Sequence, residues 1–191
     1  MIASSQIIAF AQSKQASLLL FIWAVAEACC FFILPDFLLV PLCLFAPKLW
    51  SRRALWCVIG SLCGSVIIGI LTLNQPQTAL FLIENVGLVD KLKIVNSFNL
   101  IQDHGLAAFL WQPFSLIPLK AFIFNGLLQD LQPMSVALFI VLGRSLRNFL
   151  VAYLAQLIGE RFKFNVRSQA LFILIVWGIA AGGLLYFTQF V

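Results

Sequence analysis

The stretch Phe31-Phe32-Ile33-Leu34-Pro35-Asp36-Phe37-Leu38-Leu39 lies in the middle of an apolar run from residue 17 to 46. Proline lacks the backbone donor a continuing helix needs and disfavours helix at the residue before it. Aspartate beside it is expensive in hydrocarbon. The run is too long for one membrane span and too short for two spans with a turn, since each span takes about 20 residues. The segment after the break, 37–46, is half a span long and carries Pro41. The reading that fits is a re-entrant hairpin over 17–46: in, a turn at Pro35-Asp36, and out on the same side. Such a turn is tolerated only where protein covers it or it lines a cavity.

The rest of the chain supports a membrane setting. Its 191 residues are 62% hydrophobic and only 10% charged, with a mean hydropathy of +1.04. One soluble core cannot hide that much apolar surface, so a soluble enzyme, a disordered chain and a nucleic-acid-binding domain are excluded as readings. The net charge of +5 comes from basic clusters between apolar runs, the pattern of membrane-protein loops and not of a nucleic-acid surface. All five cysteines lie within apolar runs, at spacings that match neither a disulfide framework nor a zinc site, and no removable signal peptide is expected.

Further apolar stretches lie at 54–73, 106–128, 134–158 and 169–188. Those at 54–73, 134–158 and 169–188 fit full transmembrane helices. The stretch 106–128 repeats the first design: Phe114-Ser115-Leu116-Ile117-Pro118-Leu119-Lys120 again places a proline and a nearby charge mid-run. An offset of 83 residues lays Pro35 on Pro118, Ala54 on Ala137 and Gly60 on Gly143. Repeated broken helices are a transporter pattern, with the binding site at the breaks. The polar interval 78–104 is expected to form an amphipathic interfacial helix, with Leu88, Leu92 and Val95 on its apolar face and Gly87 and Gly105 at its ends.

The fold class expected is an all-α membrane protein with two opposed re-entrant hairpins and about three full spans, in one domain. With both hairpins re-entrant, Lys14, Lys48, Arg52, Arg53, Arg161, Lys163 and Arg167 share one side and Lys91 and Lys93 take the other. The positive-inside rule then places the N-terminus in the cytoplasm. Single spans in place of the hairpins give a weaker bias. A bacterial-type plasma (inner) membrane is the expected location.

Five ionisable residues fall within the apolar runs: Glu27, Asp36, Lys120, Arg144 and Arg147. Insertion scales put an arginine at mid-bilayer at about +2.5–3.5 kcal/mol, so each needs compensation. Arg144 and Arg147 are three residues apart and share a helix face. Glu27, Asp36 or a lipid phosphate could answer them, and the planar guanidinium fork suits phosphate oxygens. The competing reading is a set of internal salt bridges that lock the helices. Gly60-Ser61-Leu62-Cys63-Gly64 reads as a close helix-packing motif. Trp50, Trp56 and Trp111 read as interfacial anchors. His104, the one histidine, has no clustered ligands, so no metal is expected. No H-E-x-x-H motif, Ser/His pair or paired intramembrane aspartates mark an enzyme. No resident cofactor is expected.

Glu27, the Phe31–Leu39 stretch, Pro41 and Pro47-Lys48 together resemble the first hairpin of the DedA family, within the VTT (SNARE-associated) superfamily. Gly60-Ser61, Gly64 and Gly69 resemble the glycine-rich span that follows it there. Asp103-His104-Gly105, the stretch from Phe114 to Lys120, and Gly126 resemble its second hairpin, in the branch that reads F-T-P-I-P-Y-K. Leu142-Gly143-Arg144-Ser145-Leu146-Arg147-Asn148-Phe149 is similar to that branch's I-G-R-x-x-R-F. The resemblance covers residues 20–162. Leu116 and Leu119 stand where that branch has proline and tyrosine, and Asn148 stands where it has an aromatic. The resemblance implies opposed re-entrant hairpins and lipid movement across a bilayer: polyprenyl-phosphate recycling, envelope integrity and proton dependence in bacterial relatives, phospholipid scrambling in eukaryotic ones. It carries acidic roles to Glu27 and Asp36 and basic ones to Lys120, Arg144 and Arg147. The expected partners are membrane lipids with an anionic phosphate headgroup, with protons as a candidate coupling ion. The alternatives are an uncoupled scramblase and a non-transporting scaffold or envelope-integrity factor.

Overall fold

A computed structural model of the chain describes residues 2–29, 34–86, 89–115 and 117–161. Among these residues every regular element is helical. The expected span 169–188 lies outside them.

Helix α1 (Ile2–Gln12) meets α2 (Lys14–Cys29) at Ser13, whose hydroxyl accepts from the Ala16 N–H at 3.2 Å and so caps α2. The two bend by 67°. After the break, α3 (Asp36–Phe45) starts directly behind Pro35, where the missing N–H costs nothing and an aspartate complements the helix dipole. A short turn at Pro47–Leu49 leads into α4 (Trp50–Asn74). Then come α5 (Pro76–Phe81), widened into a π turn over Leu82–Val86, and α6 (Lys91–His104). Asp90 caps α6, and Gly105, at φ +55°, ends it in a conformation open to glycine. A short α7 (Ala108–Trp111) runs through the turn Gln112–Phe114 to the second break. Helix α8 (Leu119–Leu128) starts directly behind Pro118, and α9 is Pro133–Arg161. The two prolines matched by the 83-residue offset thus each open a ten-residue helix.

Contacts fix the helix directions. Gly60 and Gly64 of α4 press on α2: a Cβ at Gly60 would lie 2.6 Å from the Phe21 carbonyl oxygen, and one at Gly64 2.5 Å from that of Val25. The two helices therefore run parallel at backbone contact, as the small-residue motif requires. Helix α3 returns alongside the C-terminal half of α9, with Asp36 at Arg147 and the Leu44 carbonyl oxygen 2.9 Å from where a Gly159 Cβ would stand. In the second unit, α7 follows α9, with the Phe109 carbonyl oxygen 2.7 Å from a Cβ built on Gly143. Helix α8 runs back beside the N-terminal half of α9 and the end of α4, where Ile123, Leu127, Gly69, Leu73, Val136 and Ile140 line one groove. The two broken helix pairs lie at opposite ends of α9 and meet at its middle.

Two apolar cores result. One gathers α1–α3 with Ala54 and Cys57 of α4 and Ala152 and Ala155 of α9. The other gathers α5–α8 with Ile68 of α4 and Val136 and Ile140 of α9. Between them on α4 stand Ser61, Gly64 and Ser65, and on α9 Arg144, Arg147 and Asn148. The outside is apolar instead. Leu138, Leu142, Leu146, Leu150 and Leu154 form an exposed stripe along α9, and Leu55, Ile59, Val66, Ile67, Ile70 and Leu73 an exposed face of α4. A polar middle inside a greasy exterior is the arrangement of a protein whose solvent is lipid. Pro47–Asn74 and Pro133–Arg161 are long and apolar enough to cross a membrane, and the bent α1–α2 pair makes a third if counted as one span.

The amphipathic segment packs on α8 through its polar residues. Leu92 and Val95 of α6 are exposed, while Ser97 and Ile101 are buried. The reason is polar: Asn125 Nδ2 on α8 donates to the Ile94 carbonyl and to Ser97 Oγ, both at 2.7 Å, and Gln129 Nε2 donates to the Phe98 carbonyl at 3.1 Å. Those bonds outweigh burial of Leu92 and Val95 against protein and leave them on the outer surface.

Candidate functional site

Arg147 is the middle residue of α9. Its guanidinium donates through Nη2 to Asp36 Oδ2, at the start of α3, and through Nη1 to the carbonyl oxygen of Pro113, just before the second break. One side chain thus ties the two breaks together. Both partners of the ion pair keep some access, at 17% and 20% exposure.

One turn earlier, Arg144 is fully enclosed and meets Glu27 near the end of α2. A single nitrogen, Nη2, reaches both carboxylate oxygens, at 2.9 and 3.2 Å. The Nε edge of the guanidinium has no protein partner. The two arginines expected to need compensation therefore receive it from the two carboxylates, and the four charges sum to zero. Cys57 of α4 is fully buried, one turn before Ser61.

Lys120 sits in the first turn of α8, two residues past Pro118, and is fully buried; it is not without a partner. Pro35 is buried and Pro118 half-buried, each capping the helix that follows its break. Of the five ionisable candidates, Glu27 pairs with Arg144 and Asp36 with Arg147, and Lys120 stands in the first turn of α8.

Several polar residues near the site were not singled out from the sequence. Asn148, one turn after Arg144, is fully buried with neither amide atom bonded to protein. Ser61 is buried with an unpartnered hydroxyl. Gln112 donates from Nε2 to the Ile117 carbonyl at 2.9 Å, spanning the second break, while its Oε1 stays unpaired. Leaving such a group unmet in a core costs about 1–3 kcal/mol. Their signal in the sequence was a polar residue within an apolar run, which is weak for uncharged side chains. Arg53 was assigned to a loop, yet it is fully buried in α4 and donates to the Ala11 carbonyl at the α1–α2 bend.

An open apolar cavity of about 340 Å³ adjoins the second break, lined by Leu100, His104, Ala108, Trp111, Ser115 and Phe122. Among the described residues no group of histidine, cysteine, aspartate or glutamate side chains could hold a metal ion. Of the described cysteines, Cys43, Cys57 and Cys63 are free thiols, and the Cys29 thiol donates to the Gly64 carbonyl at 3.2 Å.

Compared with family models, curated proteins and solved structures, the chain matches none. The likeness to the DedA family rests on the residues quoted above.

Proposed function

We propose that the chain is an integral membrane lipid transporter of DedA type, with its two broken helix pairs as opposed re-entrant hairpins of an inverted repeat. It moves a phosphate-bearing lipid, a polyprenyl phosphate or a phospholipid, across the bilayer of a bacterial-type plasma membrane, with its N-terminus in the cytoplasm. The observation that carries this reading is the Arg147 side chain, bonded at once to Asp36 of the first break and to the Pro113 carbonyl of the second. A headgroup phosphate arriving there can replace Asp36 on the guanidinium, because both are oxyanions of matching geometry. Asp36 is the carboxylate suited to exchange, being more accessible than Glu27. Asp36, released from Arg147 by that exchange, is the candidate group for proton coupling. Lys120, buried at the second break, is a further phosphate-facing candidate. The cavity beside that break gives the lipid chain an apolar lodging.

Proteoliposome flux tests the reading. Polyprenyl phosphate and a fluorescent phospholipid are each followed, with and without a proton gradient, for wild type, Asp36→Asn and Arg144→Gln. Flux in wild type that is lost in folded variants is expected. A response to the gradient marks coupling, and its absence an uncoupled scramblase.

A second reading has a specific observation behind it: both arginines are already paired. A scaffold locked by two internal ion pairs needs no lipid phosphate. It predicts no flux of either lipid from folded wild-type protein, and loss of stability alone on substitution.

A further inference from the structure

We infer that the polar layer between the two cores is hydrated, with Asn148, Ser61 and Gln112 holding water beside the two ion pairs. This goes beyond lipid transport and stands whether or not lipid moves.

The unmet groups lie on elements that pack on α9 or on α9 itself. Asn148 follows Arg144 by one turn on the buried face of α9, and Ser61 follows Cys57 by one turn on the buried face of α4. Gln112 immediately precedes Pro113, whose carbonyl binds Arg147, and Asp36 binds the same guanidinium. The elements that carry them all pack on α9. Five atoms there lack a protein partner besides the Ser61 hydroxyl: Arg144 Nε, Asp36 Oδ1, Gln112 Oε1, and both amide atoms of Asn148. Ser61 is a telling case. On the same helix Ser65 and Thr72 turn their hydroxyls onto the carbonyls of Ser61 and Ile68, at 2.6 and 2.8 Å. Ser61 makes no such bond among the described residues.

The chemistry of these atoms selects their guest. Arg144 Nε and Asn148 Nδ2 donate; Asp36 Oδ1, Asn148 Oδ1 and Gln112 Oε1 accept; Ser61 does both. An anion would answer the donors and face Asp36. A metal cation would answer the acceptors and face two arginines. Water answers both sets, and buried water typically makes about three bonds to groups of this kind. Water here also supplies a replacement partner for Asp36 whenever the Arg147 pair opens.

X-ray radiolytic footprinting of the full chain in detergent micelles reads this directly. Hydroxyl radicals formed from bound water oxidise the side chains next to it, and thiols react fastest. Cys57 and Cys43 are both fully buried in the first apolar core, Cys57 one turn before Ser61 on α4 and Cys43 on α3. Cys57 should be oxidised several-fold faster than Cys43 in wild type, and Asn148→Leu and Ser61→Ala should each slow it towards the Cys43 rate. Equal rates for the two thiols in wild type would overturn the hydration. Fast oxidation of Cys57 untouched by Ser61→Ala and Asn148→Leu would overturn the assignment to these side chains. Should Asn148→Leu fail to fold, the wild-type comparison and Ser61→Ala still decide.

Discussion

Removing one partner of the Arg144–Glu27 pair strands the other. Arg144→Gln leaves the Glu27 carboxylate buried at 5% exposure without its ion-pair partner. Breaking a buried pair in this way costs about 3–5 kcal/mol, whereas removing both charges costs much less. The thermal unfolding midpoint in micelles should therefore drop sharply for Arg144→Gln and recover most of the loss in Glu27→Gln/Arg144→Gln. Equal melting of the single and double variants would mean that the pair contributes no coupling. All four of these charges were legible as costly residues inside apolar runs, and the spacing of the two arginines placed them on one face. Which carboxylate meets which arginine was not legible, because that register depends on where α2 and α3 lie against α9. Arg53 shows the opposite error. Its neighbours Lys48 and Arg52 read as a loop cluster, and only the helical turn of α4 carries it inward to the Ala11 carbonyl.

At the scale of the element, two glycines of α4 separate tight from loose packing. A Cβ at Gly64 would meet the Val25 carbonyl oxygen at 2.5 Å, so Gly64→Ala must push α2 away. Overpacking of this kind costs about 1–3 kcal/mol. At Gly69 the nearest atom is 3.6 Å off, in Leu127, so Gly69→Ala should be neutral or stabilising through its better helix propensity, by up to about 1 kcal/mol. Melting of the two variants side by side checks the contrast; a tolerated Gly64→Ala would contradict the close α2–α4 approach. Asn125→Leu removes two of the three side-chain bonds that reach α6 from α8 and its C-cap and should raise amide hydrogen exchange in residues 91–104 before any global unfolding. Exchange there no faster than in wild type would show that these two bonds do not hold α6. The breaks themselves were legible from Pro35 and Pro118, since proline tolerates a helix start and not a helix interior. The orientation of α6 was not, because its hydrophobic period carries no information about the amide on α8 that captures it.

For the whole molecule, the polar layer between two apolar cores explains why an apolar chain retains its charges. They sit where the two broken helix pairs meet, and the leucine stripe of α9 and the outer face of α4 turn outward. The same 83-residue offset that aligns the prolines lays Ser61 on Arg144 and Gly64 on Arg147. The helical class and the presence of helices long and apolar enough to cross a membrane could be read from composition. The meeting of the two halves could not, since it depends on helix directions set by contacts far apart in sequence. The most direct test is a double-mutant cycle on Asp36 and Arg147, with stability and lipid flux measured on the same proteoliposome preparations. Asp36→Asn and Arg147→Gln should each lower stability, and the double variant should regain part of it while flux stays lost in all three. Wild-type flux from the double variant would contradict the account, because the pair would then be a structural tie that lipid passage does not use.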